Sequence, residues 1–296
     1  MNIVLAGATG FLGTPLVRWL QNDGHRLTVL TRTPRRANEV RWDPYSSPAS
    51  WVHLLQDADA VINLAGAPIS KRWTAAHKRE MWNSRIRSTR TLVEAMKSLP
   101  RRPATLLNAS AVGIYGSRGD ELMTEDSPPG SGFLASLGRA WEQEALVAAP
   151  QTRVVLLRTA IALDKDGGAL PLMALPFRFF VGGPIGSGRQ YLSWIHRDDW
   201  IAMVTWALTA SGIAGALNVT SPNPVTNAEF ARTLGRVLQR PALLPVPAVA
   251  LRIAVGEMAG ELVTGQRVPP AKARAGGFMF RFPDLEGALR EIYGRP

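Results

Sequence analysis

Hydrophobic and polar positions along this chain fall into two recurring patterns, and their alternation predicts the architecture. Short apolar runs, "NIVLAG" at the start, "HRLTVLTR", "DADAVINLAGAPI" (57–69), "ATLLNASA" and "RVVLLRTAIAL" (153–163), have the length and branched content of buried strands. Between them lie stretches with apolar positions at helical spacing. "FLGTPLVRWLQNDG" stops at Gly24, a good residue just past a helix C-terminus. "KRWTAAHKREMWNSRIRSTRTLVEAMKSLP" ends before Pro100, and a further helix is expected over 134–148. Strands alternating with helices predict an α/β fold, a doubly wound parallel sheet with helices on both faces.

After residue 165 the rhythm changes. "GGALPLMALPFRFFVGGPIGSGRQ" is rich in Gly and Pro. "YLSWIHRDDWIAMVTWAL" predicts a short strand, a turn and a helix capped by Asp198 or Asp199. "GALNVTSPNPVTNAEFARTLGRVL" repeats that order, with Thr226 or Asn227 as the cap, and the last fifty residues predict short helices and one short strand. The expected organisation is a dinucleotide-binding domain over 1–165, its sheet completed by segments from 190–220. Residues 166–296 then form mainly a smaller C-terminal α/β lobe on the substrate side.

The first candidate chemistry follows the first strand directly. "GATGFLG" places Gly7, Gly10 and Gly13 at GxxGxxG spacing between a strand and a helix, and a second strand completes a βαβ unit. Gly7 permits the tight turn, Gly10 lets backbone amides approach a diphosphate, and Gly13 lets the helix pack closely, with the anion at the helix N-terminus. Glycine turns without ligands exist, but the order strand, glycines, helix, strand specifies a Rossmann-type dinucleotide site. Thr9, Phe11 and Leu12 fall in the same loop. Leu64, Ala65 and Gly66, small or apolar at the end of another strand, let a nucleotide lie against the backbone. The second strand ends "LTRTPRR", with Thr31 and Arg32 where NAD-binding chains carry an acid for the ribose 2′-hydroxyl. A guanidinium suits a 2′-phosphate, so NADP(H) is favoured over NAD(H); the alternative is that Arg32, Arg35 and Arg36 are surface charge.

Composition narrows the rest. Apolar residues make up 46% and charged residues 19% of 296, enough for a sizeable core. The absence of cysteine excludes disulfides, thiolate nucleophiles and Cys-ligated metal, and the four scattered histidines argue against any metal site. A net charge of +11 favours anionic small molecules, but no basic stripe interleaved with aromatics points to nucleic acid. No apolar run is long enough to span a bilayer, and no signal peptide is evident, so a cytoplasmic location is expected. The expected partner is a small-molecule substrate, with no nucleic acid or membrane, and the chain is expected as monomer or homodimer.

Four motifs in order, "GATGFLG", "NLAG", "SAVGIYG" and "WIHRDDW", resemble those of the extended short-chain dehydrogenase/reductases. Within them the chain resembles the atypical "epimerase family protein" subgroup, through "INLAGAPI", "KRWT", "GPIGSGRQYLSWIHRDD" and the tail "GEMAGELVTGQRVPPAKARAGGFMFRFPDLEGAL". The likeness covers nearly the whole chain, and its most subgroup-specific part is a C-terminal region of about 245–293. It implies the Rossmann-type fold, a nicotinamide cofactor and a cleft, and hands over no mechanism; the function expected is an epimerase or oxidoreductase acting on an unidentified small polar substrate, nucleotide-sugar-like or otherwise.

The same resemblance exposes a departure. Typical members place Ser or Thr four residues before the YG tyrosine and a YxxxK pair on the next helix. Here Ala111 stands four before Tyr115, with Ser110 preceding it, and the helix offers Phe133 with Leu137 or Leu134 with Gly138. Aliphatic and phenyl groups exchange no proton. Replacement candidates near the cleft are Ser110, Tyr115, Asp120, Glu121, His196, Lys71 and Arg158. Ser110 and Tyr115 are the catalytic candidates, Ser110 also as a cofactor contact, and Arg158 and His196 are expected on the substrate side. Two functions stand at this stage: an NADP(H)-dependent enzyme with a rearranged proton relay, and a non-catalytic NADP(H)-binding sensor.

Overall fold

The computed structural model describes residues 1–45, 51–246 and 256–294. In the first half β1 (Asn2–Ala6), α1 (Gly13–Asn22), β2 (Arg26–Thr31) and β3 (Glu39–Arg41) are followed by α2 (His53–Gln56), β4 (Ala60–Asn63) and α3 (Ala75–Lys97). Next come β5 (Thr105–Ala111), a 3-10 turn at Val112–Tyr115, α4 (Phe133–Leu146) and β6 (Arg153–Thr159). These strands, with β11 (Gly215–Val219), form one seven-stranded sheet in the order β11-β6-β5-β4-β1-β2-β3. Every pairing in it is parallel. The fold is therefore the expected α/β, Rossmann-type doubly wound sheet.

Side-chain alternation explains the two helical layers. Ile3 and Leu5 face one core with Leu16, Val17 and Leu20 of α1 and with α6 (Arg197–Thr209). Val4 and Ala6 face the other, with Leu55, Leu92, Val93, Met96 and Ala145 from α2, α3 and α4. Because both faces are covered, the strands read as continuous apolar runs rather than alternating ones.

The lobe departs from the sequence expectation in three places. The run 153–163 is two strands, since the chain breaks at Ala160: β6 stays in the main sheet, while β7 (Ile161–Asp164) pairs with β10 (Trp194–His196) and with β8 (Gly167–Gly168). A smaller ribbon joins β9 (Tyr191–Leu192) to β12 (Val225–Thr226). The helix α6 is capped neither by Asp198 nor by Asp199. His196 Nδ1 accepts from Asp198 N at 3.1 Å, and the buried Asp199 carboxylate accepts from the amides of Arg281 and Phe282, both at 2.9 Å. That tie holds "FMFRF" as an irregular segment, so the short strand expected in the tail is absent among the described residues. Thr226 does cap α7 (Asn227–Leu238), through Glu229 N at 3.2 Å. The lobe core unites Trp194, Phe230 and Leu234 with α5 (Leu170–Arg178) and with Leu285 and Leu289 of the last helix. Among the described residues no helix is long and apolar enough to cross a membrane.

Candidate active site

The strand order reverses between β1 and β4, and in open α/β sheets ligands bind outside the carboxyl ends of the strands at such a point. Two segments meet there. Gly7 leaves β1 at φ +79°, and a Cβ on it would lie 2.5 Å from Ala65 N. Leu64 N in turn donates to Ala6 O at 2.9 Å, which draws Leu64, Ala65 and Gly66 alongside the glycine loop. Gly13 is equally confined, since its Cβ would sit 2.6 Å from Ala8 Cα. Gly10 differs. A Cβ there would meet only Gly7 O, at 3.8 Å, so packing within the protein does not explain the glycine. Thr9 and Gly10 are exposed at the mouth of the turn into α1, whose Thr14 and Leu16 amides bond Gly10 O at 3.0 Å and Leu12 O at 3.2 Å. A cradle with space beside a bare backbone fits a diphosphate.

Phe11 and Leu12, half-buried, close the loop from the lobe side. The Phe11 ring lies where side chains on Gly167 and Gly168 would be, with Cβ clashes of 2.5 and 2.8 Å. The glycine pair of β8 is thus what lets the lobe seat on the loop. Nothing in the sequence at 167–168 identifies its partner.

Beyond β2 a cleft of about 420 Å³ opens between the loop and residues 29–39. Arg32, Arg35 and Arg36 line it, with Glu39 as the one acid on its wall. Glu39 Oε2 accepts from Arg35 N at 2.6 Å and from Arg36 N at 3.2 Å, and its Oε1 lies 3.9 Å from Arg36 Nε. The carboxylate therefore fixes the arginine-bearing turn and pairs with Arg36, and three guanidinium groups against one carboxylate leave the pocket net positive.

Three strands' width from that cleft, the carboxyl end of β5 meets α4. Ser110 Oγ donates to Glu142 Oε1 at 2.6 Å. Arg158 grips the same carboxylate with two bonds, Nε to Oε1 and Nη2 to Oε2, each 2.9 Å. Its Nη1 donates to the Tyr115 hydroxyl at 2.8 Å and to Glu125 O at 3.1 Å. Tyr115 O–H donates onward to Asn218 Oδ1 at 2.6 Å, and Glu125 Oε1 accepts from the amides of Asn218 and Lys272. Burial pulls the Arg158 guanidinium down, but its bonds to Glu142 outweigh that and hold its pKa above the ordinary value. Burial pushes the Tyr115 phenol up to about 12, against the opposing pull of Arg158.

Three of the expected site residues are buried and partnered. Tyr115 is 0% exposed, bonded to Asn218 and Arg158, and Arg158 is buried against Glu142. His196 is buried as well, its Nδ1 capping α6, its Nε2 2.9 Å from Glu291 Oε2 and its ring stacked on Phe282. Asp120, Glu121 and Lys71 are exposed on the surface. Ser110, near the carboxyl end of β5, is buried against Glu142. The positions of the absent tyrosine and lysine are filled by packing: Leu134 covers Gly113, and a side chain at Gly138 would press on Ile114 Cβ at 3.1 Å.

Sequence reading missed Glu142, Glu125, Asn218 and Arg85. Glu142 follows Trp141 on a helix whose neighbouring inward positions are apolar, a signal that could have found it. Asn218 lies in an ordinary strand and gave none. Asn63, at the end of β4, donates to Asn108 Oδ1 at 2.7 Å and to Thr89 Oγ1 at 2.9 Å, which locks α3 to the sheet.

Comparison with known proteins agrees with this geometry. Residues 3–220 match the model of the NAD dependent epimerase/dehydratase family, and 246–292 match a domain of unknown function, DUF1731. The chain belongs to the epimerase/dehydratase family. It is 42% identical to the epimerase family protein YfhF of Bacillus subtilis, over 99% of this chain and 98% of that one. It is also 42% identical to the chloroplastic SDR39U1 homolog of Arabidopsis thaliana, over 99% of this chain and 86% of that one. The crystal structure of human epimerase family protein SDR39U1, isoform 2, with NADPH superposes with a TM-score of 0.90 at 35% identity, covering both chains fully. The resemblance read from the motifs therefore extends to the whole family member, tail included.

Proposed function

We propose that this family member is an NADP(H)-binding oxidoreductase or epimerase that acts on a small polar substrate without a YxxxK pair. The observation that carries the reading is the arginine-lined cleft beyond β2, whose one acid is tied to backbone amides. The NADPH of the human relative's structure supports the same choice of cofactor. Gly7, Thr9, Gly10, Phe11, Leu12 and Gly13 would hold the diphosphate, Leu64, Ala65 and Gly66 the adjoining nucleotide, and Arg32 the 2′-phosphate. When bound, the nicotinamide supplies or accepts hydride. Ser110, whose hydroxyl donates to Glu142, would accept a hydrogen bond from a substrate hydroxyl. Arg158 would hold Glu142 in place, and Tyr115 would brace Arg158, rather than touching substrate.

The packing at Leu134 and Gly138 favours a second reading, a non-catalytic NADP(H) sensor, because no group remains there to move a proton. Losing a general acid or base forfeits roughly 10²–10⁴ in rate, so slow turnover is compatible with the enzyme reading. NADPH oxidation measured across carbonyl compounds and nucleotide sugars decides: turnover on any of them supports the enzyme, and none, with a protein partner whose affinity tracks NADPH, supports the sensor. The cofactor choice is tested by Arg32→Glu, which should weaken NADPH far more than NADH. Equal weakening would remove Arg32 from the 2′-phosphate.

A further inference from the structure

Arg85, on α3, is 7% exposed and has no carboxylate partner among the described residues. The undescribed segments 46–50, 247–255 and 295–296 contain no Asp or Glu side chain. Its Nη1 donates to Met81 O at 3.2 Å, and its guanidinium lies over the Trp141 ring, 5.1 Å from the centroid. Arginine has five N–H donors, so most of its capacity is unused. Burial pulls its pKa down to about 10, with no charged neighbour to restore it. An uncompensated buried cation is costly, and such groups cluster where a ligand supplies the counter-charge.

Its position points the same way. Gly66 is exposed in the crevice, and a Cβ on it would lie 3.0 Å from Arg85 Cζ and 3.2 Å from Nη2. One helical turn further in, Thr89 bonds Asn63 at the end of β4, so Arg85 sits one turn nearer the mouth. Consecutive α4 residues serve the two candidates, Trp141 under Arg85 and Glu142 behind Ser110. Beside Arg85 the wall is apolar: Ala67, Trp73, Met81 and Leu137 are buried together, with Phe133 and Leu134 packed on them.

We infer that Arg85 is the anion-recognition residue of the cleft, taking a carboxylate or phosphate of the substrate whose apolar part rests on the Trp73–Leu137 wall. This rests on the cofactor reading above and adds the substrate class: a small oxyanion with an apolar portion. The competing source of the same chemistry is the cofactor's own diphosphate.

The test is calorimetry on the full chain, first with NADPH and then, on the NADPH-loaded protein, with benzoate, phenyl phosphate and uncharged benzyl alcohol. At least one of the two anions should bind the wild type about tenfold or more tightly than benzyl alcohol, the strength of a charge-assisted pair. Arg85→Met should abolish that preference while NADPH affinity stays unchanged. Failure of both anions to bind, or wild-type affinity for them equal to that for benzyl alcohol, overturns the inference even if the variant does not fold. Anion binding retained in Arg85→Met, with NADPH weakened instead, also overturns it and places the guanidinium on the cofactor. Absence of NADPH binding to the wild type sinks the cofactor reading itself, and is read in the first titration.

Discussion

At the scale of single residues, the most informative side chain is Tyr115, a tyrosine whose motif suggests chemistry and whose surroundings supply structure. Its hydroxyl donates to Asn218 and accepts from Arg158, and burial holds its proton until about pH 12. The ordinary phenol titrates near 10, so between those values the unfolded chain releases a proton that the folded chain keeps. Stability is unaffected below pH 10 and falls as the pH rises toward 12, by on the order of 3 kcal/mol. A spectrophotometric titration of the four tyrosines should lose one late-titrating phenol in Tyr115→Phe. Titration of all remaining phenols unchanged in number at high pH would contradict the burial. The sequence made the residue visible but not its partner, because Asn218 lies 103 positions away on an edge strand.

At the scale of elements, the glycine loop separates folding from binding. Gly13 and Gly7 are demanded by backbone within 3 Å, and Gly10 by nothing inside the protein. Gly13→Ala should therefore lower the melting temperature together with cofactor affinity. Gly10→Ala should leave the melting temperature alone and weaken NADPH about tenfold or more, by keeping the diphosphate off the helix amides. Unchanged NADPH affinity in Gly10→Ala would detach the loop from the cofactor. This element was legible because strand, turn and helix follow each other within some thirty residues, so local spacing carries the geometry. Helix α4 was legible as a helix and as lacking YxxxK. That Leu134 and Gly138 are sealed against the turn at 112–115 required the packed structure. The break at Ala160 was equally hidden, because residues 153–163 are apolar throughout and only their partners differ.

At the scale of the whole molecule, the family-specific tail is fastened to the rest of the fold by two buried carboxylates, Asp199, which the sequence suggested as a cap, and Glu125, which it did not mark. Asp199 receives two amides of "FMFRF", and Glu125 receives the Lys272 amide. Hydrogen bonds to a charged acceptor contribute about 1.5–3 kcal/mol, so Asp199→Ala should destabilise the chain by an amount of that order or more in denaturant unfolding. A change within about 0.5 kcal/mol would mean that the tail is held elsewhere. In the proposed function, the glycine backbone at the reversal of strand order and the arginine-bearing turn beyond β2 would select NADP(H). Calorimetric titration of the wild-type chain with NADPH and with NADH tests it most directly. NADPH should bind about tenfold or more tightly, the value of a bidentate phosphate contact; equal affinity for the two, or no heat with either, would contradict it.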